Sequence, residues 1–156
     1  MKKNILIAFD DSDNAARAVE FVGDFFTREC NITIFSILVN SEAILVTRSP
    51  EISSHFLAER NVFQSLDKEK KKNLEKAQDK AREILVKKGF NDEDIKCRIE
   101  SIIDGIARDI VYESYKGYDV IVLGRRGLSA IKEFFLGSVS HKVFNEVKDN
   151  SILVVN

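Results

Sequence analysis

The chain has 156 residues, with 24 basic against 25 acidic side chains and a formal net charge of −1. A chain of this size buries about two-thirds of the surface that its unfolded form exposes, so one domain over residues 1–156 is expected, held without disulfide or metal. The near balance of charge excludes a global attraction to nucleic acid or to an anionic membrane, and any anion site must therefore be local.

Cys30 and Cys97 stand alone, without a CxxC pair or a Cys/His cluster. No apolar stretch approaches the roughly 18 residues that a membrane span requires. The opening Met-Lys-Lys-Asn leads into a five-residue apolar run rather than a signal-peptide core. A reduced, cytoplasmic protein is the expectation.

In chain order, Ile5-Leu6-Ile7-Ala8-Phe9 is short and apolar without alternation, the pattern of a strand covered on both faces. It stops at Asp10-Asp11-Ser12, any of which suits a helix cap, and Ala15, Ala16, Val19, Val22 and Phe26 then follow at helical spacing. A second strand spans residues 32–39, with Thr33 and Ser36 its only polar members. Residues 40–61 are irregular and include Ser49-Pro50 and His55. A long charged helix over 62–88 has Leu66, Leu74, Ala77, Ala81, Ile84 and Leu85 as its inner stripe, and its Lys68-Glu-Lys-Lys-Lys72 run reads as a solvated face. Gly89 ends it. Ile95, Cys97 and Ile99 alternate with Lys96, Arg98 and Glu100, which suits a strand at a sheet edge. A helix over 106–115, a buried strand over 119–123, a helix over 138–147 and a last strand, Ile152-Leu153-Val154-Val155, complete the chain. His141 falls on a different face of its helix from Val139, Val143 and Val147 and is expected to be exposed.

Strict alternation of strands and helices predicts an α/β fold: an open five-stranded parallel sheet with helices on both faces. Ligands of such sheets lie beyond the carboxyl ends of the strands, where the strand order reverses. In the order 3-2-1-4-5 the reversal falls between the first strand and the fourth, so Asp10 would face Gly124.

The fourth strand runs into Gly124-Arg125-Arg126-Gly127, followed after nine residues by Gly137-Ser138. Glycines at 124 and 127 are expected to take positive φ and let backbone N–H groups approach an anion, while Gly137-Ser138 opens a helix whose first N–H groups face the same space. Ser138 is expected to cap that helix and to donate its hydroxyl to a phosphate oxygen. This is a phosphate cradle. It lacks the lysine that follows the last glycine of a P-loop, and its glycines lie too far apart for the dinucleotide fingerprint.

Ile-Leu-Ile-Ala-Phe-Asp-Asp-Ser at the start, the Gly-x2-Gly-x9-Gly-Ser loop and the closing Ser-Ile-Leu-Val-Val together resemble the universal stress protein family over nearly the whole chain. The glycine loop is similar to that of the ATP-binding branch. The resemblance implies a Rossmann-like domain that binds ATP, with Mg2+ held through the phosphates, and that forms a homodimer. It implies that Asp10 contacts the nucleoside, that the backbone of Ile37 pairs with adenine, and that Gly124, Gly127, Gly137 and Ser138, with Val139 and Ser140, hold the phosphates. Arg125 and Arg126 could each neutralise phosphate, and Arg126 matches the position that is more often basic. Ala8, at the adenine end, stands where the family often has proline, Ser36 where it often has histidine, and Ser151 where a proline commonly precedes the last strand.

The apolar last strand would lie at a sheet edge, and antiparallel pairing of residues 152–155 with the same strand of a second copy would cover it. The family resemblance implies the same dimer. The expected function is that of an ATP-dependent regulatory binding module in the stress response, acting on an unknown protein partner and hydrolysing ATP slowly if at all. No Walker lysine and no Ser/His/Asp or Cys/His set suggests an enzyme. The alternatives are a dimeric scaffold of the same family without nucleotide, and a nucleotidyl- or phosphoryl-transfer enzyme of a related α/β fold.

Overall fold

A computed structural model of the chain describes residues 2–41, 60–126 and 136–156, with the backbone alone at 60 and 61. Its strands are β1 (Lys3–Ala8), β2 (Cys30–Leu38), β3 (Ile95–Ser101), β4 (Val120–Gly124) and β5 (Ser151–Val155). Its helices are α1 (Asp13–Phe25), α2 (Arg60–Lys87), α3 (Ile106–Ser114) and α4 (Ser138–Glu146). The strands form one parallel sheet, as the alternation of elements predicted, and in the expected order β3-β2-β1-β4-β5. The alternating strand β3 is an edge, and β5 is the other.

Because successive side chains of a strand point to opposite faces, the unalternating apolar runs feed two cores at once. Ile5 and Ile7 of β1, Ile32 and Ile34 of β2 and Val122 of β4 pack with α1 and α2. Leu6, Phe35, Ile121 and Leu123 pack on the opposite side, against α3 and α4. Full burial of side chains of this kind contributes about 1.5–3 kcal/mol each. The contacts of α2 with the first core come from Ala77, Ala81 and Leu85 in its second half. Leu66, expected on the inner stripe, is 44% exposed, because it precedes the part of the helix that lies on the sheet.

Polar side chains stitch the layers together. Buried Gln78 of α2 donates its amide Nε2 to the Ile34 carbonyl at 3.2 Å, the Ser36 hydroxyl at 2.8 Å and the Arg98 carbonyl at 2.9 Å, joining the helix to β2 and β3. Ser36 is thereby turned toward α2. On the other face, the buried carboxylate of Glu113 in α3 accepts from Arg98, from Lys116 Nζ at 2.8 Å and from the Tyr118 hydroxyl at 2.9 Å. Burial raises the pKa of Tyr118 above its ordinary value, with Glu113 adding to the shift. Gly89, at φ 95°, turns the chain out of α2, and the Phe90 N–H closes the turn on the Leu85 carbonyl at 3.1 Å.

Candidate functional site

At the carboxyl edge of the sheet the chain leaves β1 toward α1 and leaves β4 toward α4, and between these exits lies a cleft of about 560 Å3. Ala8 and Asp10 line it at the end of β1, Ile37 at the end of β2, and Gly124 and Arg126 at the end of β4. Gly137, Ser138, Val139 and Ser140 line it from the start of α4. Of the described residues that the sequence nominated, all but Arg125 therefore meet in one space. Gly127 lies outside the described residues, as do Ser49, Pro50 and His55. Arg126, not Arg125, is the arginine that lines the cleft.

Among the described residues, three helices begin at this cleft, α3 with Ile106 at its rim, and the two that follow β1 and β4 begin differently. At α1, Ser12 is the cap: its backbone is extended, and its hydroxyl accepts the Ala15 N–H at 3.2 Å. Of the three candidate caps, Asp10 instead accepts the Ser12 N–H at 3.2 Å, which holds the turn, and Asp11 carries that turn at a left-handed φ of 60°. A non-glycine residue in this region is uncommon, and Asp is among the types that tolerate it best.

At α4 the cap is Gly137, with φ −64° and ψ 156°, and no side chain hydrogen-bonds the helix start from that position. The Gly137 carbonyl accepts the first intrahelical bond, from the His141 N–H at 2.9 Å. Ser138, expected as the cap, is the first helical residue. A cap needs extended backbone, and only Gly137 has it. The N–H groups of Ser138, Val139 and Ser140 have no acceptor within the helix, and they form the positive end of its dipole at the cleft.

The exit of β4 is tied to this helix start by two hydrogen bonds. The Ser140 hydroxyl donates to the Gly124 carbonyl at 2.7 Å, and the Gly137 N–H donates to the Arg125 carbonyl at 2.9 Å. The Arg125 N–H in turn donates to the carbonyl of Val155, the last residue of β5, at 2.6 Å. Gly124 does not adopt the left-handed backbone expected of it. A different constraint requires glycine: a Cβ at 124 would lie 2.8 Å from the backbone carbon of Asn14 and 2.9 Å from its oxygen. The first turn of α1 packs directly on the end of β4.

Lys70, Asn73 and Leu74 of α2 also line the cleft, and sequence reasoning missed them. Their spacing of three and four residues marks one helical face, which was the available signal, but the lysine run around Lys70 reads equally well as a solvated surface. This wall is fixed to the exit of β2 by Asp67, whose carboxylate accepts from the Ser41 N–H at 3.0 Å and from the Ser41 hydroxyl at 2.7 Å. Lys70 lies 3.8 Å from the same carboxylate. Phe35 and Ile110 contribute apolar lining from the other core. The cleft thus offers apolar walls, the acidic residues Asp10 and Asp11 at one exit and a glycine-capped helix start at the other. Among the described residues, no group of three or more His, Cys, Asp or Glu could hold a metal ion, and no helix is long and apolar enough to cross a membrane.

A model of the universal stress protein family matches residues 1–155 of the chain. The universal stress protein YxiE of Bacillus subtilis (strain 168) is 33% identical over 160 residues, which cover 99% of each chain. Among solved structures, that of the hypothetical protein MJ0577 superposes with a TM-score of 0.77 at 24% identity, covering 99% of this chain and 96% of the other. A universal stress protein solved in complex with cAMP gives 0.62 at 18% identity, with 99% and 96% covered. The universal stress protein from Archaeoglobus fulgidus in complex with dAMP gives 0.60 at 15%, with 100% and 98% covered.

Proposed function

Because the chain belongs to the universal stress protein family, we propose that it is an ATP-binding member of it, a cytoplasmic regulatory module formed by one domain over residues 1–156. The observation that carries this reading is the start of α4: a helix N-terminus without a side-chain cap, opening on the same cleft as Asp10 and Ile37. Two relatives of this fold were solved with the adenine nucleotides cAMP and dAMP. In the proposed complex the base lies at the exit of β2 beside the backbone of Ile37, and a ribose hydroxyl donates to the Asp10 carboxylate. The phosphates accept from the N–H groups of Ser138, Val139 and Ser140, with Gly127 completing the cradle and Arg126 supplying positive charge. A Mg2+ ion would be held mainly by the phosphates and water, since it keeps several waters and needs few protein ligands. The residues named hold and orient the nucleotide; none is assigned a step that breaks it.

The same reading makes the protein a homodimer. Edge strand β5 carries Ile152, Leu153 and Val154 half-buried, and antiparallel pairing with a second copy would cover the open edge. Nucleotide state would then alter association with a further protein. Titration calorimetry of the purified protein with ATP and Mg2+, together with mass spectrometry of any ligand released on denaturation, tests the assignment. Saturable binding of ATP or release of an adenine nucleotide is expected. Absence of both would favour the nucleotide-free scaffold, and sustained turnover of nucleotide with a second substrate would favour the transfer enzyme.

A further inference from the structure

We infer that Ser140 is a positioning residue, which fixes the helix start that receives phosphate and does not itself bind phosphate through its hydroxyl; the inference rests on the nucleotide-binding reading above. Ser140 is 5% exposed, and its single hydroxyl proton is directed to the Gly124 carbonyl at 2.7 Å. A hydroxyl has one proton to donate, and a phosphate oxygen at neutral pH is an acceptor, so this side chain cannot serve the carbonyl and a phosphate together. Its backbone N–H, three positions into the helix start, stays available to the anion.

The bond acts across the neck of the glycine loop. Gly124 and Arg125 stand on one side, Gly137 and Ser140 on the other, and the neck is closed by the Ser140 hydroxyl and by the Gly137 N–H on the Arg125 carbonyl at 2.9 Å. Both bonds are made by the chain alone. The direction in which the N–H groups of Ser138 to Ser140 point is therefore set by β4 before any ligand arrives, and the anion does not have to order that turn when it binds. Hydrogen-bond donors held in advance are worth more to an anionic ligand than donors that must be gathered.

Hydrogen exchange on nucleotide-free protein, combined with affinities for ATP and for adenosine, tests the role. In Ser140→Ala, exchange at the Gly137 and His141 amides, which donate to the Arg125 and Gly137 carbonyls, should quicken by about tenfold, and ATP affinity should fall by about five- to tenfold, the loss expected of one buried hydrogen bond. Adenosine, which lacks phosphate, should bind as to the wild type, and Ser140→Thr should restore both measurements. If Ser140→Ala does not fold, Ser140→Cys, a weaker donor of similar size, carries the same readouts with a smaller shift in the same direction. Lost ATP affinity with unchanged exchange in the nucleotide-free protein would overturn the proposal in favour of a direct phosphate contact. Unchanged exchange and unchanged affinity would remove Ser140 from any role at the site. A wild type that binds neither ligand defeats the nucleotide reading, while the exchange comparison still decides whether Ser140 holds the neck.

Discussion

The helices α1 and α4 both start at the cleft, in similar strand-to-helix exits on either side of the point where the strand order reverses. At α1 the chain satisfies its own helix start through Ser12, and carboxylates of Asp10 and Asp11 line the cleft beside it. At α4 a glycine stands at the cap position, and the helix start is left with its donors. One exit thus presents acceptors and the other donors. A nucleotide has the opposite arrangement along its length, with hydroxyl donors on the sugar and acceptor oxygens on the phosphates. The difference between two helix caps is enough to give the cleft a direction.

Gly124→Ala should erase the contrast by disturbing both starts, because the new Cβ would sit 2.8 Å from the Asn14 backbone in α1 while the Gly124 carbonyl holds Ser140 in α4. A loss of about 1–3 kcal/mol is expected from overpacking against backbone. Thermal unfolding would register it as a fall of several degrees, and an unchanged midpoint would mean that α1 moves aside freely. Gly137→Asp should remove the contrast from the other side, by converting α4 into a self-capped helix like α1. The backbone at 137 is open to any residue, so stability should rise by a few tenths of a kcal/mol, while the added carboxylate should weaken ATP binding by about tenfold or more. Calorimetry showing wild-type affinity in that variant would place the phosphates elsewhere. Ser12→Ala, the smallest change, should cost about 1 kcal/mol in urea unfolding and leave ATP affinity within about twofold. A larger loss of affinity would show that the two starts are not independent.

Much of this was legible in the sequence, and the failures share a cause. The parallel sheet, the edge position of β3 and the facing of Asp10 and Gly124 across the reversal in the expected strand order follow from local patterns and from the rule for where ligands of such sheets lie, whereas Ile37 was reached through the family resemblance. The reason for Gly124 was not legible: its conformation is ordinary, and the demand for glycine comes from Asn14, distant in the chain and adjacent only after folding. The cap of α4 was placed one residue late because Gly137 and Ser138 both suit the position, and only backbone angles separate them. Lys70, Asn73 and Leu74 were hidden by composition. A lysine-rich helix face looks the same whether it meets water or the rim of a cleft, and the Asp67 clasp on Ser41 that decides the matter pairs residues from separate elements. Gln78 and Glu113, buried polar residues at the centre of their networks, are ordinary surface types until their partners are known.

Gly124 is where three elements come together: its Cα faces the first turn of α1, its carbonyl takes the hydroxyl of α4, and it stands in register with Val155 of β5. A change at this residue has to be absorbed by all three, so compensation by one neighbouring substitution is not available, and the effects of changes around it should not add. At the β2 end of the cleft, Lys70 and Asn73 belong to an exposed helix face. The two ends therefore differ in how easily descendants of this chain could alter them. On the nucleotide reading proposed above, single replacements along α2 would tune the base end of the cleft, whereas the end proposed to seat the anion would be kept or lost as a unit.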